Sequence, residues 1–259
     1  MALIEIHSAE GIGTLTLNYS IKRNTLSEAL IGEMSRAFAA LEQEGVRVLV
    51  LRAYPGAKVW SAGHNVDELP LGGHDPLGWK DPLRQIIREI EGFPAPVIAM
   101  VEGSVWGGAC ELVFACDLII ATAGATFAAT PAKLGVPYNA SGLLTFMNAA
   151  SPQIAKEMLF TGRPIAAARL ERLGVVNHVL PREEIETFTH ALARDICHNS
   201  PLSIAVMKEQ MRILHGAHSL SPADFERMQG LRRVVYNSED YREGIRAFKE
   251  KRKPLFRGE

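Results

Sequence analysis

Two stretches of the chain carry the residue types that chemistry needs. Ser61-Ala62-Gly63-His64-Asn65-Val66-Asp67 and, further on, Val105-Trp106-Gly107-Gly108-Ala109-Cys110-Glu111 both set glycine and small residues where a strand-like apolar run gives way to a helical pattern. Two such junctions can aim two backbone N–H groups at one point, which is what an anionic oxygen needs. The donors would be the amides of His64, whatever its ring does, and Gly108. Glu111 falls in the first turn of the helix that Gly108 opens, where it either complements the helix dipole or moves a proton. A third patch runs from Thr130 to Asn139. Its prolines, Pro131 and Pro137, pin a loop and hold Tyr138 in a defined direction, for packing or for chemistry.

These loops need a frame. Leu3–His7 and Thr14–Asn18 read as a hairpin around Glu10-Gly11-Ile12-Gly13. Ser27 reads as the N-cap of a helix from Glu28 to Glu44, with Leu30, Ile31, Met34, Phe38 and Leu41 at helical spacing. Val46–Arg52, Pro96–Val101 and Asp117–Ala121 read as buried strands, Pro82–Glu91 as an amphipathic helix, and Gly107–Cys116 as a helix start. Strands alternating with helices imply mostly parallel pairing with right-handed crossovers, and a strand–turn–helix unit recurring about every fifty residues permits a spiral stack. Neither G-x-G-x-x-G nor G-x-x-x-x-G-K-[ST] follows a strand, which removes the nucleotide-fold signatures. From Ser151 onward helical patterns dominate, at 154–160, 166–173, 182–199, 202–215, 222–237 and 238–250, with one strand at 175–180. Apolar faces on Ile204, Met207, Met211 and Leu214, and on Phe225, Met228, Leu231 and Val235, suggest packing on the core or on neighbouring subunits.

Composition narrows the function classes. At 47% apolar and 22% charged, the 259 residues suit an ordinary globular protein with a sizeable core. A formal charge of −1 supplies no global field for nucleic acid or an anionic membrane, so neither is expected as a partner. The local exception, Lys249-Glu250-Lys251-Arg252-Lys253, reads on its own as a solvated helix face. Cys110, Cys116 and Cys197 have neither metal-ligand nor C-x-x-C spacing, so they are read as small hydrophobes in a reducing compartment and no metal is expected. Met1–His7 lacks the cationic start and apolar segment of a secretory signal, and no apolar run of about eighteen residues is present. A cytoplasmic location is the expectation.

The segments SAGH-x-x-x-E, EGSVWGGACEL, CDLIIA and FKEKRKPLF, in this order and spacing, resemble the crotonase (enoyl-CoA hydratase/isomerase) superfamily over essentially the whole chain. The resemblance implies an α/β fold: a spiral of ββα turns over residues 1–197 holding an acyl-CoA site, then a C-terminal helical trimerisation region over 198–259. It implies homotrimers or dimers of trimers. It also implies that the amides matching His64 and Gly108 grip a thioester oxygen. CoA contacts would come from the backbone at Ala62, Gly63, Asn65 and Val66, with Lys22 or Arg23 and Lys251 near the phosphates. CoA is then part of the substrate, and no separate cofactor is implied.

One departure from the family pattern is informative. Hydratases of the superfamily handle water with two glutamates; the first matches Glu111, but the second falls where this chain has Pro131, beside Ala132. Neither side chain moves a proton, so hydration is not expected. Across SAGHNVDELP, DPLRQIIREI, VEGSVWGGACEL and TPAKLGVPYN the chain resembles most closely the group that decarboxylates methylmalonyl-CoA to propionyl-CoA. In that group a tyrosine matching Tyr138 lies in the site, and a histidine matching His64 replaces the more usual small residue. Losing carbon dioxide leaves an electron pair that delocalises into the thioester as an enolate, without a base. Two amide donors at about 3 kcal/mol each supply roughly a factor of ten thousand. Thr130, Tyr138 and the His64 ring are the candidates to orient the carboxylate. Tyr138, a water it positions, or Glu111 would return the proton, although Glu111 is expected chiefly to pair with Arg84. The competing readings are an isomerase or weak hydratase acting through Glu111 alone, and a non-catalytic acyl-CoA-binding scaffold.

Overall fold

The structure, a computed structural model, describes residues 2–259. Strands β1 (Ile4–Ala9) and β2 (Ile12–Leu17) form the expected antiparallel hairpin; Glu10 and Gly11 both take positive φ, which matches the turn to the twist of the strands. Helix α1 (Glu28–Gln43) begins at Ser27, whose hydroxyl accepts the Leu30 amide at 3.2 Å. Three ββα turns follow. The first is β3 (Val48–Ala53), β4 (Val59–Ser61) and α2 (Pro82–Gly92). The second is β5 (Val97–Val101), β6 (Ser104–Trp106) and α3 (Gly108–Phe114), and the third β7 (Leu118–Thr122), β8 (Thr126–Ala128) and α4 (Ala140–Ala149). Each turn adds one strand to each of two sheets. The larger runs β1-β2-β3-β5-β7-β10 and is parallel after its hairpin, with β10 at His178–Leu180; the smaller runs β4-β6-β8-β9, with β9 (Ile165–Ala166) antiparallel at its edge.

Burial explains the composition of the strands. One face of the larger sheet, including Leu49, Leu51, Val97 and Ala99, packs against the apolar stripes of α1 and α2. The other face, Val48, Val50, Ile98, Met100 and Ile120, is covered by Ile185 and Ala193 of α7 (Ile185–Cys197). Parallel strands covered on both sides read as continuous apolar runs, which is how they appear in the sequence.

The C-terminal half supplies α5 (Pro152–Thr161), α6 (Ala167–Arg172), α7, α8 (Pro201–His215), α9 (Pro222–Tyr236) and α10 (Glu239–Lys249). Tyr241 and Ile245 of α10 fold back onto Val66 and Leu69, and Arg232 of α9 pairs with Asp75. The apolar faces of α8 and α9 are bare in the single chain, with Met211, Leu214, Leu231 and Val234 each more than half exposed. Among the described residues no helix is long and apolar enough to cross a membrane.

Candidate active site

Strand β4 ends at Ser61, whose hydroxyl donates to the Asn24 carbonyl at 2.7 Å and accepts the Gly63 amide at 3.2 Å. Its parallel neighbour β6 ends at Trp106, so the two chain exits lie side by side. Gly63 is at φ +85 and Gly107 at φ +54, conformations that L side chains rarely adopt. A Cβ on Gly63 would stand 3.1 Å from the Gly108 nitrogen, and one on Gly108 would stand 3.7 Å from the His64 nitrogen. The neighbouring amides are spent: Gly63 on Ser61, Asn65 on the Leu26 carbonyl, Gly107 on the Ala128 carbonyl, Cys110 on the Gly107 carbonyl. Among the described residues the amides of His64 and Gly108 donate to no protein acceptor, Gly108 being at the helix start where amides have no intrahelical partner. Two unspent donors thus stand together.

The His64 ring is engaged elsewhere. Its Nε2 lies 2.9 Å from Asp81 Oδ2, and its Nδ1 lies 3.2 Å from the Asn65 carbonyl. Burial disfavours the imidazolium, but the Asp81 hydrogen bond and charge, the Asn65 carbonyl and the Glu68 charge outweigh it and raise the ring above its ordinary value. Of the three side chains expected to orient a carboxylate, this one is already committed.

Glu111 forms the expected pair with Arg84; both are buried and the contact is short. Burial pushes the Glu111 carboxyl up to about 7, with the Arg84 charge opposing the rise. Among the described residues its second oxygen, Oε2, and the Tyr138 hydroxyl are both buried with no hydrogen-bond partner of good geometry, although they lie close enough to act on each other electrostatically. The two groups interact: burial, then the Glu111 charge, raises the Tyr138 hydroxyl well above its ordinary value, so it stays a neutral donor. The Tyr138 ring meets Phe146 edge-on at 5.6 Å and lies over Gly142, where a Cβ would come within 2.6 Å of Cδ1. Asn139 caps α4 through the Gly142 amide at 2.7 Å and donates to the Leu77 carbonyl at 2.7 Å, which fixes the backbone beside Tyr138. Thr130 Oγ1 sits 3.3 Å from the place of a Gly107 Cβ, against the same turn that presents Gly108. Arg84 also lines a cavity of about 480 Å³ whose walls include Asp117 and Lys208 but not His64, Gly108 or Tyr138.

The remaining expected residues lie around the Ala62–Asp67 loop. The Ala62 amide donates to the Arg23 carbonyl at 2.9 Å, which fastens Lys22 and Arg23 beside the loop. With the Ala62 amide spent, its carbonyl is the loop's candidate acceptor for a ligand, whereas the Asn65 carbonyl already accepts the Glu68 amide at 3.1 Å; the Asn65 side chain donates to Glu68 at 2.8 Å. Val66 is buried under α10, and Lys249 reaches Asp67 at 3.5 Å, so Lys251 follows a helix end set against the loop. Sequence reasoning passed over Asp81, Leu83 and Gly142. Asp81 before Pro82 is a helix-start signature, but its bond to His64 has no sequence pattern.

Residues 7–259 match the enoyl-CoA hydratase/isomerase family. The chain is 48% identical to Escherichia coli methylmalonyl-CoA decarboxylase over 98% of both chains. It is 33% identical to the bovine mitochondrial enoyl-CoA hydratase domain-containing protein 2, covering 96% of this chain and 86% of that one. A solved methylmalonyl-CoA decarboxylase in complex with 2-nitronate-propionyl-CoA superposes with a TM-score of 0.98 at 48% identity, over 100% of this chain and 99% of that one. With its three ββα turns, its paired glycine junctions and a match that spans nearly every residue, this chain belongs to the enoyl-CoA hydratase/isomerase (crotonase) family.

Proposed function

We propose that the protein decarboxylates methylmalonyl-CoA to propionyl-CoA through a thioester enolate. The observation that carries the reading is the pair of unspent amides, His64 and Gly108, at adjoining strand exits. They donate to the thioester oxygen, whose charge grows as the C–C bond to the carboxylate breaks and its electron pair enters the carbonyl. Carbon dioxide leaves, and the α-carbon takes up one proton. The breaking bond must stand perpendicular to the thioester plane. Tyr138 and Thr130, both uncharged donors, hold the carboxylate in that direction. A free cation there would stabilise the substrate more than the transition state; His64 and Arg84 have their charges met by Asp81 and Glu111.

The reaction asks for nothing beyond the substrate's own CoA. The Ala62 carbonyl and the backbone of Gly63, Asn65 and Val66 line the CoA arm; Lys22 or Arg23 and Lys251 take its phosphates. The kinship with a methylmalonyl-CoA decarboxylase over 98% of both chains supports this substrate, and Pro131 in place of a second acid–base group speaks against hydration. We extend the proposal to a homotrimer or dimer of trimers built by residues 198–259, because the bare apolar faces of α8 and α9 call for cover. The test is incubation with methylmalonyl-CoA and, separately, crotonyl-CoA, followed by mass spectrometry. Propionyl-CoA from the first and no hydrated product from the second is expected; the reverse outcome refutes the reading.

A further inference from the structure

The first turn of α2 touches three parts of the site without containing a residue assigned to the chemistry above. Asp81 divides its carboxylate: Oδ1 caps α2 by accepting the Leu83 amide at 3.0 Å, and Oδ2 lies 2.9 Å from His64 Nε2. Leu83 Cδ2 would lie 2.6 Å from a Cβ on Gly108, so this side chain rests where any residue but glycine would project. Arg84, next in line, pairs with Glu111. One helix end therefore bears on both amide donors, through a polar link to His64 and an apolar contact with Gly108.

The His64 amide needs such a peg. Its orientation follows from the torsions of Gly63, the residue type with the widest conformational range. Nothing in the loop accepts that amide, so its own hydrogen bonding does not set its direction. The ring does: it is clamped between the Asp81 carboxylate and the Asn65 carbonyl, with side chains at 14% and 10% exposure for His64 and Asp81. Both clamping atoms are acceptors, so whichever ring nitrogen carries a proton has a partner. The charged groups facing the ring are Asp81 at the start of α2 and Glu68 from the 66–68 turn.

We propose that Asp81 is a positioning residue, which through the His64 ring holds the His64 amide in line with the Gly108 amide. This rests on the decarboxylase reading and adds to it a residue that never touches substrate. Capping alone makes a different forecast, which separates the two roles. Serine and asparagine cap helices about as well as aspartate, so Asp81→Ser and Asp81→Asn keep α2 while removing the charged tether.

The experiment measures kcat and KM for methylmalonyl-CoA and thermal melting for Asp81→Ser, Asp81→Asn, His64→Ala and the Asp81→Ser/His64→Ala double variant. We expect kcat to fall about tenfold or more in each single variant, with KM within about threefold. Melting temperatures of the Asp81 variants should fall no further than that of His64→Ala, since the cap is kept and only the same bond is lost. The double variant should lose no more than either single one, because both changes cut the same link. An Asp81→Ser enzyme with parental kcat, or losses that multiply in the double variant, overturns the proposal. If the Asp81 variants do not fold, His64→Ala decides, since parental kcat there overturns it equally. A parent protein that releases no carbon dioxide from methylmalonyl-CoA refutes the underlying reading instead, so the two failures are distinct.

Discussion

Replacing Tyr138 by phenylalanine separates packing from chemistry at the most informative side chain in the site. The ring is held by Phe146 and lies over Gly142, and phenylalanine keeps both contacts. The hydroxyl is buried, and among the described residues neither it nor Glu111 Oε2 has a hydrogen-bond partner of good geometry. Deleting an unpartnered buried hydroxyl strands no donor, so the fold should lose nothing and gain up to about 1 kcal/mol. Activity should move the other way. A hydrogen bond to a charged carboxylate contributes about 1.5–3 kcal/mol, and here it biases the carboxylate toward the perpendicular orientation. Converted through the barrier, that is a fall in kcat of about 10- to 150-fold, with KM nearly constant because the CoA arm is untouched. The assay is propionyl-CoA formation at saturating methylmalonyl-CoA, alongside urea denaturation of both proteins. A lower stability with unchanged kcat refutes the reasoning and returns Tyr138 to the aromatic cluster.

Three further outcomes follow from the same geometry. Gly142→Ala drives a Cβ into the Tyr138 ring, and it should cost about 1–3 kcal/mol of stability and lower kcat, which urea denaturation and steady-state kinetics will read. Gly63→Ala meets both positive φ and the Trp106 carbonyl backbone, so it should impair folding far more than Gly45→Ala, which has positive φ but open space; melting temperatures compare the two. For Glu111 the carboxyl is raised from 4.5 to about 7 in the fold, so between these values the unfolded chain has released a proton that the native state keeps. Its contribution to stability is full below 4.5 and declines as pH rises to about 7, by about 3 kcal/mol in total. Glu111→Gln should remove that decline, seen as a smaller difference between urea midpoints at pH 5 and pH 7.5; an unchanged difference contradicts the assignment.

Periodicity made the frame legible. The 3.6-residue stripe of α1, its Ser27 cap and the apolar runs of β3, β5 and β7 stand in the sequence much as they stand in the structure. The larger sheet's partner was not legible, because β4, β6 and β8 have three residues each and β9 two, too few for any alternation to register. Helix α4 was missed for a different reason: Ser141 and Gly142 weaken its first turn, and the glycine is there to seat Tyr138. The glycine junctions were visible since positive φ and close backbone approach demand glycine, and the Glu111–Arg84 pair was expected from its residues. What the chain's order conceals is long-range geometry. The His64 ring, one of three candidates to orient the substrate carboxylate, bonds Asp81, a link between a loop and a helix cap that no spacing rule encodes.

The proposed chemistry stands on the His64 and Gly108 amides gripping one thioester oxygen. A crystal structure of the protein with a non-reactive methylmalonyl-CoA analogue tests it most directly. The thioester oxygen should lie about 2.7–3.1 Å from both nitrogens, with the carboxylate mimic on Tyr138. A thioester oxygen bound by other groups, with both amides facing away from it, contradicts the account.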